Sequence, residues 1–84
     1  MVNDPSRLAL EALAWILADG IRAHRFLDLT GLDPEGLRGA VNRASTHRAV
    51  LEFLCAHEPD LIAASEALGV SPQELAGARA RIQA

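Results

Sequence analysis

The chain of 84 residues carries a formal net charge of -3, one cysteine and an apolar fraction of 50%. This length fits one domain, residues 1–84, and the apolar fraction predicts a packed globule and not a disordered segment. The charge gives no reason to expect a nucleic-acid surface, which is normally basic, and one cysteine excludes an internal disulfide framework.

The first predicted helix covers residues 5–18 and is rich in alanine and leucine, which are strong helix formers. Asp4-Pro5 supplies a side-chain oxygen at the N-cap and a proline at the first helical position, where no hydrogen bond is lost. The segment is apolar on nearly every side, so we expect it at the centre of the fold. Its apolar run is too short to cross a bilayer and lacks signal-peptide features, so we expect a cytoplasmic protein without a membrane partner.

A stop signal and a start signal separate the second helix, predicted over 20–30, from the third, predicted over 34–43. Gly31 suits the left-handed backbone that often ends a helix. Asp33-Pro34 then repeats the N-terminal capping pattern.

Gly36 and Gly39 lie inside the predicted third helix, where each costs roughly 0.5–1 kcal/mol relative to alanine. We therefore expect this helix to be the weakest. Gly39, like Gly77 in the sixth helix, would allow a neighbouring backbone to approach closely. The alternative is that glycine is simply tolerated near a helix end.

Charged side chains on the helices are expected to form a mixed, solvated surface: Arg22, Arg25, Asp28, Glu52 and Glu66. Arg25 and Asp28 are three positions apart, a spacing that predicts an ion pair on one helix face.

The remaining helices are predicted over 46–57, 59–68 and 72–82. The fourth carries a run of large apolar residues and should pack beside the first as its counterpart. Gly69 and Ser71-Pro72 repeat the stop and start signals, and the serine with the following Gln-Glu fits a capping box.

A shift of about 38 positions aligns residues 12–40 with 50–78, including both turns. We interpret the match as an internal duplication with pseudo-repeats at about 8–43 and 46–82. The alternative is that short helical hairpins resemble one another. On the second helix of each half, the aligned positions combine a large residue in one half with a small residue in the other. The first half has Ala23, Phe26, Leu27 and Thr30, and the second half has Leu61, Ala64, Ser65 and Leu68. Such a pattern would let the two halves interlock at a fixed core volume, and it means that they need not present the same surface. A functional surface should therefore be sought where the halves differ.

Metal ligation and catalysis find little support in the residue spacing. The candidate ligands are Cys55, His57, Glu58 and Asp60, with His24 and His47 elsewhere. Cys55 and His57 are two apart and point in different directions on a helix, and no CxxC, HxxxH or HExxH spacing occurs. Leu17 matches Cys55 in the first half, which predicts an inert thiol facing the core. No glycine-rich phosphate loop is present. We expect no metal, no cofactor, no catalytic residue and no enzyme activity.

The segment around Gly69 resembles a helix-turn-helix, the alternative function that the sequence offers. In such motifs, polar and basic residues at the start of the second helix enter the major groove. Here that start contains Glu74, which phosphate repels, and the basic residues Arg79 and Arg81 come late. The stripe of positive charge that DNA binding needs is missing.

Two stretches, "ALAWILADGIRAHRFLDLTGLDPEGLRGA" and "VLEFLCAHEPDLIAASEALGVSPQELAGAR", carry a family resemblance. The residues involved are Ala14-Trp15, Arg25-Phe26-Leu27, the Gly31-Leu32-Asp33-Pro34 turn, and Leu51-Glu52-Phe53-Leu54 with Glu58. Over about residues 8–82 the chain resembles the small alphaproteobacterial proteins grouped as domain of unknown function number 3572. The resemblance implies a bacterial, cytoplasmic, helical protein without an assigned activity. Glu58-Pro59 departs from the unbroken helix start expected there.

Together these observations predict an all-α domain, a compact bundle of five to six short helices built from two pseudo-repeats. The function we expect is non-enzymatic interaction with another protein, or with a second copy as a homodimer. The alternative is a small transcription-associated domain that touches DNA through the third helix of one half.

Overall fold

A computed structural model describes residues 4–83 and folds them into six α-helices, with no strand in that range. The helices are α1 (Pro5–Leu17), α2 (Gly20–Thr30), α3 (Pro34–Ala40), α4 (Ala44–Cys55), α5 (Glu58–Leu68) and α6 (Pro72–Arg81). The predicted all-α fold is confirmed.

Side-chain caps begin four of the helices. Asp4 and Asp33 each accept a hydrogen bond from a backbone N–H of the first turn. Ser71 accepts from the Glu74 N–H at 3.1 Å while the Glu74 carboxylate accepts from the Ser71 N–H at 3.4 Å, which completes the predicted capping box. Asp19 caps α2 in the same way, a cap that the sequence patterns did not single out.

Glycine ends α2 and α5 as predicted. Gly31 and Gly69 have φ angles of 74° and 72°, in the left-handed region that side chains disfavour. At the other boundary, α5 begins at Glu58 and Pro59 lies in its first turn, where proline is tolerated. The Glu58-Pro59 departure therefore leaves the helix unbroken.

The predicted boundary between the third and fourth helices was wrong. Helix α3 ends at Ala40 and not at residue 43, and α4 begins two residues earlier than expected. The buried His47 explains the change, because its Nε2–H donates to the Val41 carbonyl at 2.7 Å. This hydrogen bond satisfies a carbonyl at the end of α3 and fixes the turn into α4.

Helices α1 and α4 form the centre of the fold, and both pack against α2, α5 and α6 as well as each other. The core contains Leu8, Ala9, Ala12, Leu13, Ile16, Phe26, Leu37, Val50, Leu51, Phe53, Leu54, Ala64, Leu75, Ala78 and Ile82. Helix α1 is central as predicted but not buried all round, because Leu10 and Leu17 are exposed on one side.

Of the two alternatives for the helical glycines, close approach of a neighbouring backbone at Gly39 and Gly77 is wrong. A methyl group built on Gly39 or Gly77 would meet no atom within 4 Å outside the local backbone. At Gly36 it would lie 3.1 Å from the capping oxygen of Asp33. Gly39 and Gly77 are therefore tolerated residues and not packing requirements.

The two halves share their element order but not their packing. Helix α6 packs on α1, α4 and α5, whereas α3, its counterpart in the alignment, is the least packed of the six helices. Leu37 is the one buried residue of α3. A common origin of the halves stays a prediction, and the difference at α3 has a direct consequence for the molecular surface.

Candidate interaction site

An apolar cleft opens on the surface between α1, α2 and α3. Its volume is about 380 Å³. It is lined by Leu13 and Leu17 from α1, Leu27 from α2, Pro34, Leu37 and Arg38 from α3, and Val41 just beyond it. We call this surface the cleft.

Helical spacing explains why these side chains share one surface. Leu13 and Leu17 are four apart on α1, so they lie one above the other on the same face. Pro34, Leu37 and Val41 follow the same rule along α3 and the residue that ends it. The apolar stripe of α1 and the apolar stripe of α3 therefore both line the cleft.

The cleft exists because α3 does not close over α1. Leu13 and Leu37 are buried at its floor, while 43% of Leu17 remains exposed at its edge. Leu10, on the same side of α1 and two turns earlier, extends the apolar surface. Together Leu10 and Leu17 leave apolar surface beside the cleft in contact with water.

The corresponding surface of the second half is closed. Leu51 and Leu75, the counterparts of the floor leucines, are fully buried because α6 packs directly on α4. Three larger apolar residues of the cleft, Leu17, Leu27 and Val41, match Cys55, Ser65 and Arg79 in the second half. The halves therefore differ at the positions that form the cleft.

Arg38 is the one charged residue among those that line the cleft. It is exposed and forms no ion pair within residues 4–83. Its guanidinium can be approached from solvent at the edge of an apolar surface, where a carboxylate of a bound partner would be partly desolvated and held more strongly than in water.

Two other arginines, Arg22 and Arg25, were expected on the solvated surface, but both lie against aromatic rings. The Arg22 guanidinium carbon lies 3.6 Å from the centroid of the Trp15 ring, and its Nη2 donates to the Trp15 carbonyl at 2.7 Å. Arg25 lies over the Phe53 ring at 4.9 Å. Both are cation–π contacts that cover aromatic surface with the arginine stem and head.

The predicted Arg25–Asp28 ion pair does not form. Arg25 instead donates to Asp60 on α5, and Asp28 lies 3.5 Å from His24 on its own helix. The Nδ1 atom of His57 also lies 3.1 Å from the same Asp60 oxygen. This cluster links α2 of the first half to α5 of the second.

The Asp60 cluster brings together two of the candidate metal ligands, but a third is not near them. Within the part of the chain that the structure describes, no three His, Cys, Asp or Glu side chains lie close enough to share a metal ion. His47 is buried in the first turn of α4, and His24 is exposed on α2.

Cys55 was expected to face the core, and it is only half-buried at the end of α4. Burial raises the pKa of its thiol, Arg79 opposes this rise and Glu52 adds to it. The reactive form of cysteine is the thiolate, so a raised pKa keeps this sulfur weakly nucleophilic at neutral pH.

The helix-turn-helix-like segment is formed by α5, the Gly69 turn and α6. Leu75 and Ala78 of α6 are buried, and the exposed residues of that helix are Gln73, Glu74, Gly77, Ala80 and Arg81. Glu74 is held in the capping box, and Arg81 already has a contact of its own. The outward face of α6 therefore carries no row of uncommitted cations.

The described residues form a fold of six helices in which the first half leaves an apolar cleft open and the second half is closed. Residues 2–84 match the family described as protein of unknown function, DUF3572, and the chain belongs to that family. Comparison with curated proteins and with solved structures finds no match. Among residues 4–83, no helix combines the length and apolar character that crossing a membrane requires.

Sequence reasoning named no site residue, so the cleft was missed. The signal that could have found it is the contrast between aligned residues, above all Leu17 against Cys55 and Leu27 against Ser65. That contrast was visible on α2, but it was interpreted as interlocking of the halves.

Proposed function

We propose that this protein is a non-enzymatic interaction module and that the cleft is its binding site for a helix of another polypeptide. The observation that carries the proposal is an open cleft with a volume of about 380 Å³, whose lining is apolar apart from Arg38. Amphipathic helices bind proteins by placing apolar side chains in such grooves. A cytoplasmic, bacterial setting belongs to the proposal, in keeping with the free thiol of Cys55.

The energetics favour a partner of this kind. Each Å² of apolar surface removed from water contributes about 25 cal/mol, so covering the exposed parts of Leu17 and its neighbours stabilises a complex. Because α3 leaves the cleft formed in the free protein, no further segment of the described chain has to be ordered on binding, and the entropic cost stays small.

A matched pair of variants tests the proposal by affinity capture from native lysate. Leu17→Asp places a carboxylate in the cleft, whereas Ile21→Asp places the same group at a site that is 79% exposed and lines none of the described cavities. We expect the wild type and Ile21→Asp to retain the same protein and Leu17→Asp to lose it. Circular dichroism should show all three chains equally helical. Identical capture by all three would refute the proposal.

DNA binding remains the alternative function. Titration of a mixed DNA pool at low and moderate salt separates the two functions, since contacts to phosphate weaken steeply as salt rises. We expect no binding even at low salt. Binding that falls steeply with salt and survives Leu17→Asp would instead support the helix-turn-helix-like segment.

A further inference from the structure

We infer that the cleft receives α5 of a second copy of this chain, an inference that rests on the proposed function of the cleft. The surface that would enter it is an exposed side of α5, where Glu58, Ile62 and Glu66 form one i, i+4 ridge of side chains and Pro59 and Ala63 lie beside it. We call these residues the ridge.

The ridge carries one large apolar side chain. Ile62 is 43% exposed at its centre. Pro59 and Ala63 beside it are exposed and small, so a facing helix can approach closely. The ridge therefore presents one large apolar side chain with smaller residues beside it.

Helix α5 is free to offer the ridge because its opposite face holds it in its own fold. Ala64 and Ser65 are buried, and Leu61 and Leu68 are half-buried against the core. Docking the ridge on another molecule thus needs no rearrangement of α5.

Charge complementarity identifies the partner. Glu58 and Glu66 are the charged residues of the ridge, one helical turn either side of Ile62, or roughly 6 Å along the axis at 1.5 Å per residue. Neither forms an ion pair within residues 4–83, and the same is true of Arg38 in the cleft. With Ile62 between the apolar stripes of the cleft, one of the two carboxylates can reach Arg38.

The cleft and the ridge share no residue, and they come from different halves of the chain. Each molecule consequently carries one of each. A contact between them either closes into a dimer with two equivalent cleft–ridge contacts or continues head to tail. Both arrangements depend on the same pair of surfaces.

Sedimentation of the full chain with two disabling variants tests this inference. At roughly 100 μM, a concentration that populates weak complexes, we expect the wild type and the Ile21→Asp control to self-associate. Leu17→Asp disables the cleft and Ile62→Asp disables the ridge, so each alone should be monomeric. An equimolar mixture should regain a dimer through one cleft–ridge contact, since one variant supplies an intact ridge and the other an intact cleft. A dimer closed by two such contacts should be weaker in the mixture than in the wild type.

Charge reversal tests the role of Arg38 separately. Arg38→Glu or Glu66→Arg alone should weaken self-association at least tenfold, and the double variant should recover most of the loss. If Glu58 is the carboxylate that meets Arg38, then Glu58→Arg gives the loss and the recovery in place of Glu66→Arg. Failure of both reversals to recover association overturns the pairing.

The outcomes also separate this inference from the proposed function. A monomeric wild type at that concentration, or a mixture that stays monomeric, overturns docking of a second copy. If lysate capture still depends on Leu17, the cleft remains a binding site for a different protein. If neither self-association nor capture depends on Leu17, the proposed function fails as well.

Discussion

Phe26 is the side chain whose removal should most directly test the packing of the two halves. It lies on α2, is fully buried, and meets the Phe53 ring of α4 edge-on at 5.4 Å with an interplanar angle of 88°. Its counterpart in the alignment is Ala64, also fully buried, so the first half supplies the large residue at this position and the second half the small one.

The expected cost of Phe26→Ala follows from this environment. Truncating a buried phenylalanine costs about 3–5 kcal/mol, and the upper part of the range applies where a rigid surrounding cannot collapse. The edge-on aromatic pair accounts for about 0.5–1.5 kcal/mol of that loss. Since a chain of 84 residues has a total stability of about 4–13 kcal/mol, this loss is a large fraction of the total.

Urea denaturation followed by the fluorescence of Trp15 measures the change. With an m-value of about 1 kcal/mol/M, the midpoint should fall by about 3 M or more. Leu29→Ala is the control, because Leu29 is 73% exposed on the same helix and its loss should cost less than about 0.5 kcal/mol. Equal midpoints for the two variants would show that Phe26 does not hold α2 against α4.

A double-mutant cycle isolates the aromatic pair and remains usable if Phe26→Ala does not fold. Phe26→Leu and Phe53→Leu are combined, and the coupling should be about 0.5–1.5 kcal/mol. The contact between Arg25 and Phe53 is lost in both legs that carry Phe53→Leu, so it cancels from the coupling. A coupling of zero would mean that the two rings contribute only their individual burial.

Three further predictions concern the backbone, an ion pair and the thiol. Gly77→Ala should raise the free energy of unfolding by about 0.5–1 kcal/mol, because nothing lies within 4 Å of the added methyl group on this helix. Gly69→Ala should lower the free energy of unfolding by about 1 kcal/mol, because the φ angle at this position is positive. Thermal melts compare the two variants. Asp60→Ala should cost about 1 kcal/mol in urea denaturation, because its largely buried carboxylate accepts a hydrogen bond from Arg25 and lies 3.1 Å from His57 Nδ1. Folding raises the pKa of the Cys55 thiol, so the contribution of this group to stability is present at neutral pH and declines as the pH rises through the alkaline range. Thermal melts across pH should show a smaller decline for Cys55→Ser than for the wild type. An unchanged profile would contradict this prediction.

The helix boundaries were largely predictable because the signals that set them are local. A capping oxygen, a proline in the first turn and a glycine at the end act through atoms a few residues apart, and each can be recognised from the residue types alone. The boundary before α4 was missed because it coincides with a hydrogen bond from the buried His47 side chain to the carbonyl of Val41, six residues earlier, and no capping pattern in the sequence indicates that bond.

The roles of the arginines and the leucines could not be predicted in the same way. Periodicity places Arg25 on the outer side of α2, but whether Asp28 or Asp60 lies closer depends on how α5 packs. Leu17 likewise continues the apolar pattern of α1, and its exposure depends on α3 standing apart. Local patterns decide which helices form, while the placement of α3 decides which apolar residues meet water.

Helix α3 is fastened at its two ends and at one point between them. The Asp33 cap holds its start, the His47 bond holds the residue after its end, and Leu37 alone reaches the core. Because so few contacts hold it, we expect α3 to have the lowest free energy of local opening among the helices of residues 4–83. A partner bound in the cleft adds contacts to α3, so binding and the local stability of this helix rise together.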